Sequence, residues 1–265
     1  MSNQTSVYDD LIADGDDVEA LVTGLSPAQW STDTPAPGWT VKHQIAHLTF
    51  VSHLAALSAT QPDAFAEHVA DAKRDFQAAV DNALTAYMEL PTDALVDRWR
   101  QERNTAAKAL AAVDPTGTVP WLVTPLPPSV LAAAGMMELF GHGQDIADAL
   151  GRTRELTDRI GHLAWFGFRT RDFGYHAHGL TPPTQEFRVE LTGPSGVVWE
   201  FGPPDATQRV TGPAVDFALL VSRRRHRDDL SLTAQGEEAD RWLDVAQAYR
   251  GPAGPGRRPG QFAKR

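Results

Sequence analysis

The chain has 265 residues, 42% of them apolar and 22% charged, a balance that excludes wholesale disorder and leaves room for two folded domains. It has no cysteine, which excludes a disulfide scaffold, a thiolate nucleophile and a sulfur-ligated metal, so any thiol in its chemistry comes from outside. A net charge of −10, carried despite four basic and no acidic residues among the last fifteen, opposes nucleic acid and anionic membranes as partners.

In chain order, the first half reads as helices. Leu11, Ile12, Val18, Leu21, Val22 and Leu25 recur at three- and four-residue spacings and predict a helix over 7–25. Ser26-Pro27 opens a short turn containing Trp30, and Thr34 to Gly38 is a loop. Thr40 is a good cap for a helix from Val41 to about Ala59, with Ile45, Leu48, Val51 and Leu54 or Ala55 on adjoining faces. A third helix is predicted from Pro62 to Leu90 and a fourth from Asp93 to Val113. Five prolines between Asp114 and Pro128 make a long irregular loop. Ser129 is placed as the cap of a last helix, which runs to Ala149 and stops at Gly151. Together these predict a bundle of about four long helices.

The period then changes. Residues 157–176 read as a connecting helix, and 185–192 and 197–201 as strands joined by the turn Gly193-Pro194-Ser195-Gly196. Strands are predicted at 207–210 and 230–233, and helices at 213–223 and 237–247. The resulting division is a helical domain over 1–155, an α+β domain over 156–250 and a flexible basic tail over 251–265. No stretch approaches the ~18 apolar residues of a membrane span. The acidic start, Met1 to Asp17, lacks the basic region of a secretory signal, and the expected location is cytoplasmic.

The most informative pair is Glu138 and His142, four apart on a predicted helix among apolar or small neighbours. An ordinary intrahelical contact is one reading. The other is a metal site, because carboxylate oxygen and imidazole nitrogen without sulfur suit zinc, nickel, iron or manganese. His43 and His47 sit four apart on another bundle helix, and either could complete three ligands with one position open for substrate. Asp145 could orient a ligand histidine, Trp39 could wall the cleft, and the arginines from Arg223 to Arg227 either cap a helix or clamp a carboxylate. No phosphate-binding loop or nucleophile elbow occurs.

The strings GWTVKHQIAHL and, about ninety residues later, MELFGHGQDIADALG resemble the DinB-like metal-binding bundles of the mycothiol-dependent maleylpyruvate isomerase family. Further strings, LTGPSGVVWEFGP, RVTGPAVDFALLVSRRRHRDDL and ADRWLDVAQAYRGPAGPGR, resemble the C-terminal part of one metal-binding branch of it, so the likeness spans about Val7 to Gly256. The resemblance implies a DinB-like four-helix bundle followed by a small SCP2-like α+β domain. It also implies metal ligands at His47, Glu138 and His142 and an activity-linked arginine within residues 222–225, assigned here to Arg223. Two positions depart from the family: His43 stands where an acid is usual, and Gly135 where an arginine commonly precedes the glutamate.

The expected function is therefore a metal-dependent isomerase or thiol transferase with a substrate cleft between bundle and C-terminal domain. Mycothiol would be cosubstrate, the divalent ion most simply zinc, and the substrate a small unsaturated carbonyl compound bearing a carboxylate. Alternatives are a thiol-independent hydrolase, lyase or isomerase with His43 as base, and a metal- or ligand-binding protein without turnover.

Overall fold

Capping decides where the helices of the first unit begin. In a computed structural model describing residues 6–70 and 76–262, the Ser6 hydroxyl accepts the Asp9 N–H and opens α1 (Val7–Val22). Ser26 and Gln29 cap each other's backbone around α2 (Pro27–Trp30), and α3 (Val41–Thr60) follows Thr40. The helix expected over 62–90 is seen as α4 (Pro62–Ala70) and α5 (Phe76–Met88), and the stretch between them lies outside the described residues. Next come α6 (Thr92–Ala112) and α7 (Pro128–Leu150). Ser129 is not the cap of α7. Pro128 takes the first helical position, where a missing N–H is no loss, and Gly151 ends the helix at φ 62°.

The chain divides into two compact units, Met1–Thr153 and Arg154–Arg265. In the first, α1 and α3 each pack along both α6 and α7, giving the four long helices of a bundle. Val18, Ile45, Leu95, Trp99, Ala132 and Ile146 are fully buried in its core. Each large aliphatic side chain there contributes about 1.5–3 kcal/mol by leaving water. Lys42, next to the start of α3, donates to the carbonyls of Met88 and Leu90, both at 2.8 Å, and so fastens α3 to the end of α5. Among the described residues no helix is long and apolar enough to cross a membrane.

Arg103 crosses from α6 to α1, pairing with Asp16 at 2.6 Å and Glu19 at 2.7 Å while its guanidinium lies 4.9 Å from the Trp99 ring. It fits because position 15 of α1 is glycine, and a Cβ there would overlap the guanidinium.

The second unit is α+β, as expected. The connecting helix is two helices, α8 (Ile160–Arg169) and α9 (Asp172–Ala177), because Thr170 ends the first and its hydroxyl donates back to the Phe166 carbonyl at 2.8 Å. Strands β1 (Phe187–Thr192), β2 (Val198–Phe201), β3 (Gln208–Pro213) and β4 (Thr233–Gln235) form one sheet in the order β2-β1-β3-β4. The β1–β2 and β3–β4 pairs are antiparallel and β1–β3 is parallel. Phe187, Val189 and Leu191 alternate onto the buried face, where Phe187 and Phe217 of α10 (Ala214–Val221) meet Trp242 of α11 (Glu237–Val245) edge-on. The strand expected at 230–233 lies later, at β4. A 3-10 turn occupies Arg227–Asp229 and the Asp216 carboxylate takes the Ser231 N–H at 2.6 Å, so pairing with β3 starts at Thr233. In the terminal stretch, the Gly260 N–H donates to Asp229 at 2.8 Å and the Arg225 guanidinium lies 3.9 Å from the Phe262 ring.

Two outcomes follow from this packing. Alanine normally stabilises a helix relative to glycine by about 1 kcal/mol. Gly15→Ala should instead lower stability by about 1–3 kcal/mol in urea denaturation, because Arg103 must leave its acidic partners. Burial pushes the Tyr175 phenol up to about 12, while its hydroxyl donates to the Glu238 carbonyl at 3.3 Å. An unfolded phenol ionises near pH 10, so the stability this group adds is complete below that pH and is lost as pH rises through 12. Between pH 9 and 11 the wild type should lose about 1.4 kcal/mol more than Tyr175→Phe, read from urea midpoints.

Candidate metal centre

A helix returns residues three and four apart to one face, so α3 presents Gln44 and His47 together, and α7 presents Glu138 and His142. The two helices pack on each other, and this brings the four polar side chains to one place inside an apolar bundle. Glu138 Oε2 lies 3.1 Å from His142 Nε2 and 3.7 Å from His47 Nε2. One ligand atom from each of the three lies within 4.8 Å of the others. The side chains of His47, Glu138 and His142 are 16%, 26% and 12% exposed, so the carboxylate is the edge most open to solvent.

Electrostatics keep that carboxylate charged. Burial pushes the Glu138 carboxyl up, but His142 and His47, when protonated and bonding to it, outweigh burial and hold the group well below the usual carboxylate range. Two imidazole nitrogens and an ionised carboxylate oxygen, mutually close and without sulfur, are a donor set for zinc, nickel, iron or manganese. Three such donors leave room for a further ligand. The Trp39 ring covers one side, with its centroid 5.2 Å from that of His47 and 5.8 Å from that of His142.

Residues 12–147 match the family described as the mycothiol maleylpyruvate isomerase N-terminal domain. The chain belongs to this family. Two uncharacterized proteins of Mycobacterium tuberculosis, from different strains, are each 43% identical over 248 residues, which cover 94% of this chain and 96% of theirs. The crystal structure of the mycothiol-dependent maleylpyruvate isomerase aligns with a TM-score of 0.53 at 14% identity, over 86% of this chain and 91% of that one. A structure of a mutant of the same enzyme aligns equally well. At that identity the likeness shows a shared fold. Residues 183–235 also match a family described as wyosine base formation.

Against the family pattern, the two departures find local explanations. His43 is not one of the three clustered residues. Its Nδ1 accepts the Thr40 N–H at 3.2 Å and lies 2.8 Å from the Thr40 hydroxyl, so it closes the first turn of α3. Burial, with the neighbouring Lys42 charge, lowers its pKa, so the ring is neutral at physiological pH and carries its proton on Nε2. Gly135 faces α1, and a Cβ there would stand 3.2 Å from a Leu11 methyl, so that leucine would have to give way by about a few tenths of an ångström.

Sequence reasoning missed Gln44. The outer nitrogen of His142, Nδ1, lies 2.5 Å from Gln44 Oε1. Gln44 is an unremarked polar residue in the string, and its only signal is its place one turn before His47 on the same face. By contrast the outer nitrogen of His47 is buried and has no hydrogen-bond partner among the described residues. His53 lies elsewhere, paired with Glu102 at 3.2 Å.

In the second unit, the arginine run divides by environment. Arg227 is spent on Asp240 at 2.5 Å and Asp244 at 2.8 Å. Arg223 stands at φ 59° just past α10, among the described residues the one non-glycine with positive φ, and its buried Nε has no hydrogen-bond partner. The bonds from Arg223 N to Leu220 O and from Arg224 N to Leu219 O, both 2.8 Å, make this a left-handed helix end of the kind that favours glycine. Arg223→Gly should therefore raise the denaturation midpoint by an amount equivalent to about 1 kcal/mol, and a fall would show that the side chain holds the fold together.

Proposed function

We propose that the protein is a metal-dependent enzyme in which a mycothiol thiolate adds to an unsaturated carbonyl substrate bearing a carboxylate. The observation that carries the reading is the convergence of His47 with Glu138 and His142 from two helices, in a chain of this family. These three side chains hold the ion, with zinc the simplest occupant and nickel, iron or manganese served by the same donors. A divalent ion held there would lower the pKa of the cosubstrate thiol, whose sulfur is the nucleophile that a chain without cysteine lacks.

In the addition, the sulfur lone pair forms a C–S bond to the cis double bond and the π pair shifts to the conjugated carbonyl. Rotation follows about what is now a single bond. Return of the pair re-forms the double bond in trans and expels the thiolate unchanged. Trp39 excludes water from one side of the ligands, and the Nε2–H of His43 is available to a developing oxyanion. Arg223, in the second unit, offers its fork of N–H groups to a carboxylate, a role that would account for an arginine held in a conformation that favours glycine.

His47→Ala and His142→Ala should each reduce bound metal, measured by elemental analysis, and thiol-dependent cis–trans isomerisation to background. Arg223→Gly should lose turnover while keeping its metal. Full turnover by a metal-stripped variant overturns the proposal, and equal turnover without thiol assigns the site to thiol-independent chemistry.

A further inference from the structure

Gln44 is completely buried, yet it is a polar side chain with a single role visible in its contacts. Its Nε2 lies 2.7 Å from Thr34 Oγ1, and its Oε1 lies 2.5 Å from His142 Nδ1. Thr34 Oγ1 in turn lies 2.7 Å from the Trp39 carbonyl, which also accepts the Thr34 N–H at 2.8 Å. The protons along this chain can be assigned one after another. A carbonyl has none, so the Thr34 hydroxyl donates its only proton to Trp39. Thr34 Oγ1 can then only accept from Gln44, which turns the amide nitrogen toward it and the amide oxygen toward His142. An amide oxygen is an acceptor, so the proton of that last contact belongs to His142 Nδ1.

We infer that Gln44, oriented by Thr34 and the Trp39 carbonyl, is a positioning residue that fixes His142 as its Nδ1–H tautomer and aims the Nε2 lone pair at the place shared with His47 and Glu138. The functional meaning of this rests on the metal site proposed above, whereas the tautomer does not depend on it. With Nδ1 protonated, a neutral His142 sets the Nε2 lone pair 3.1 Å from the Glu138 carboxylate oxygen. Two such acceptors repel each other until a cation lies between them, so the relay turns an ordinary Glu–His contact into a receptor for one. A histidine free to swap its proton would instead donate Nε2–H to Glu138 and close the site on itself.

The tautomer can be read directly from long-range 1H–15N correlations of histidine rings in the metal-free, full-length protein. Wild-type His142 is expected to show the Nδ1–H pattern, and an Nε2–H pattern overturns the inference without any variant. Gln44→Leu, which can neither donate nor accept, should shift His142 toward Nε2–H and weaken Zn²⁺ binding by about 10–100-fold in competition with a chromogenic chelator. Gln44→Glu keeps an acceptor in place and should retain both the tautomer and the affinity. Thr34→Val, which leaves Gln44 intact but frees its amide to rotate, should give a mixed tautomer. An unchanged tautomer and affinity in Gln44→Leu overturns the relay. A wild type that binds no Zn²⁺ overturns the metal site instead, and the tautomer measured without metal still decides the relay.

Discussion

The site depends on the register between α3 and α7. Each helix brings two polar side chains into a core otherwise built from residues such as Ile45, Leu95, Met136 and Ile146, and none of the four is satisfied by its own helix alone. Gln44 reaches His142 across the interface, and His47 reaches Glu138. A slip of one helical turn, about 5.4 Å, would part Gln44 from His142 and His47 from Glu138. The apolar layers therefore do more than supply burial energy. They hold two helix faces in the single alignment at which the polar groups complete one another.

The parts of this arrangement that were legible beforehand are those governed by periodicity. Glu138 and His142 declare themselves by four-residue spacing on an apolar helix, and His47 shares that signal with His43. Spacing could not separate the two histidines, because both lie on the same face of α3. What separates them is position along the helix: His43 is in the first turn, where an unbonded backbone N–H claims its ring, and His47 is one turn deeper, beside α7. Gln44 was illegible for a different reason. Its role is conferred by a loop residue, Thr34, and by a carbonyl, neither of which leaves a periodic mark. The bundle and the α+β unit were both readable. The displaced strand β4 and the divided connecting helix were not, since the Asp216 and Thr170 side chains that redirect the chain there act through bonds to backbone.

Two helix ends show the same backbone motif used to opposite purposes. α7 stops at Gly151 and α10 at Arg223, both in the left-handed region, with φ of 62° and 59°. At Gly151 the residue suits the conformation and nothing further is implied. At Arg223 a long cationic side chain occupies a position whose backbone disfavours any Cβ, and the local hydrogen bonds would form equally well around glycine. The Arg223 side chain, with its Nε buried, thus stands on a backbone conformation whose cost glycine would not incur.

Lys42 gives the metal helix a dependence on a distant connection. Two positions before Gln44, its ammonium holds the carbonyls of Met88, the last residue of α5, and of Leu90, within the link into α6. Insertions or deletions in that short link would be transmitted through the lysine to the start of α3 and would tilt the relay glutamine away from His142. The proline-rich connection over 114–127 meets α3 farther along, where the Ser58 hydroxyl donates to the Pro120 carbonyl, and it is pinched by its own Val119–Leu126 bridge. Length variation among relatives should accordingly gather in that second connection, while the first stays constant in length even if its side chains drift.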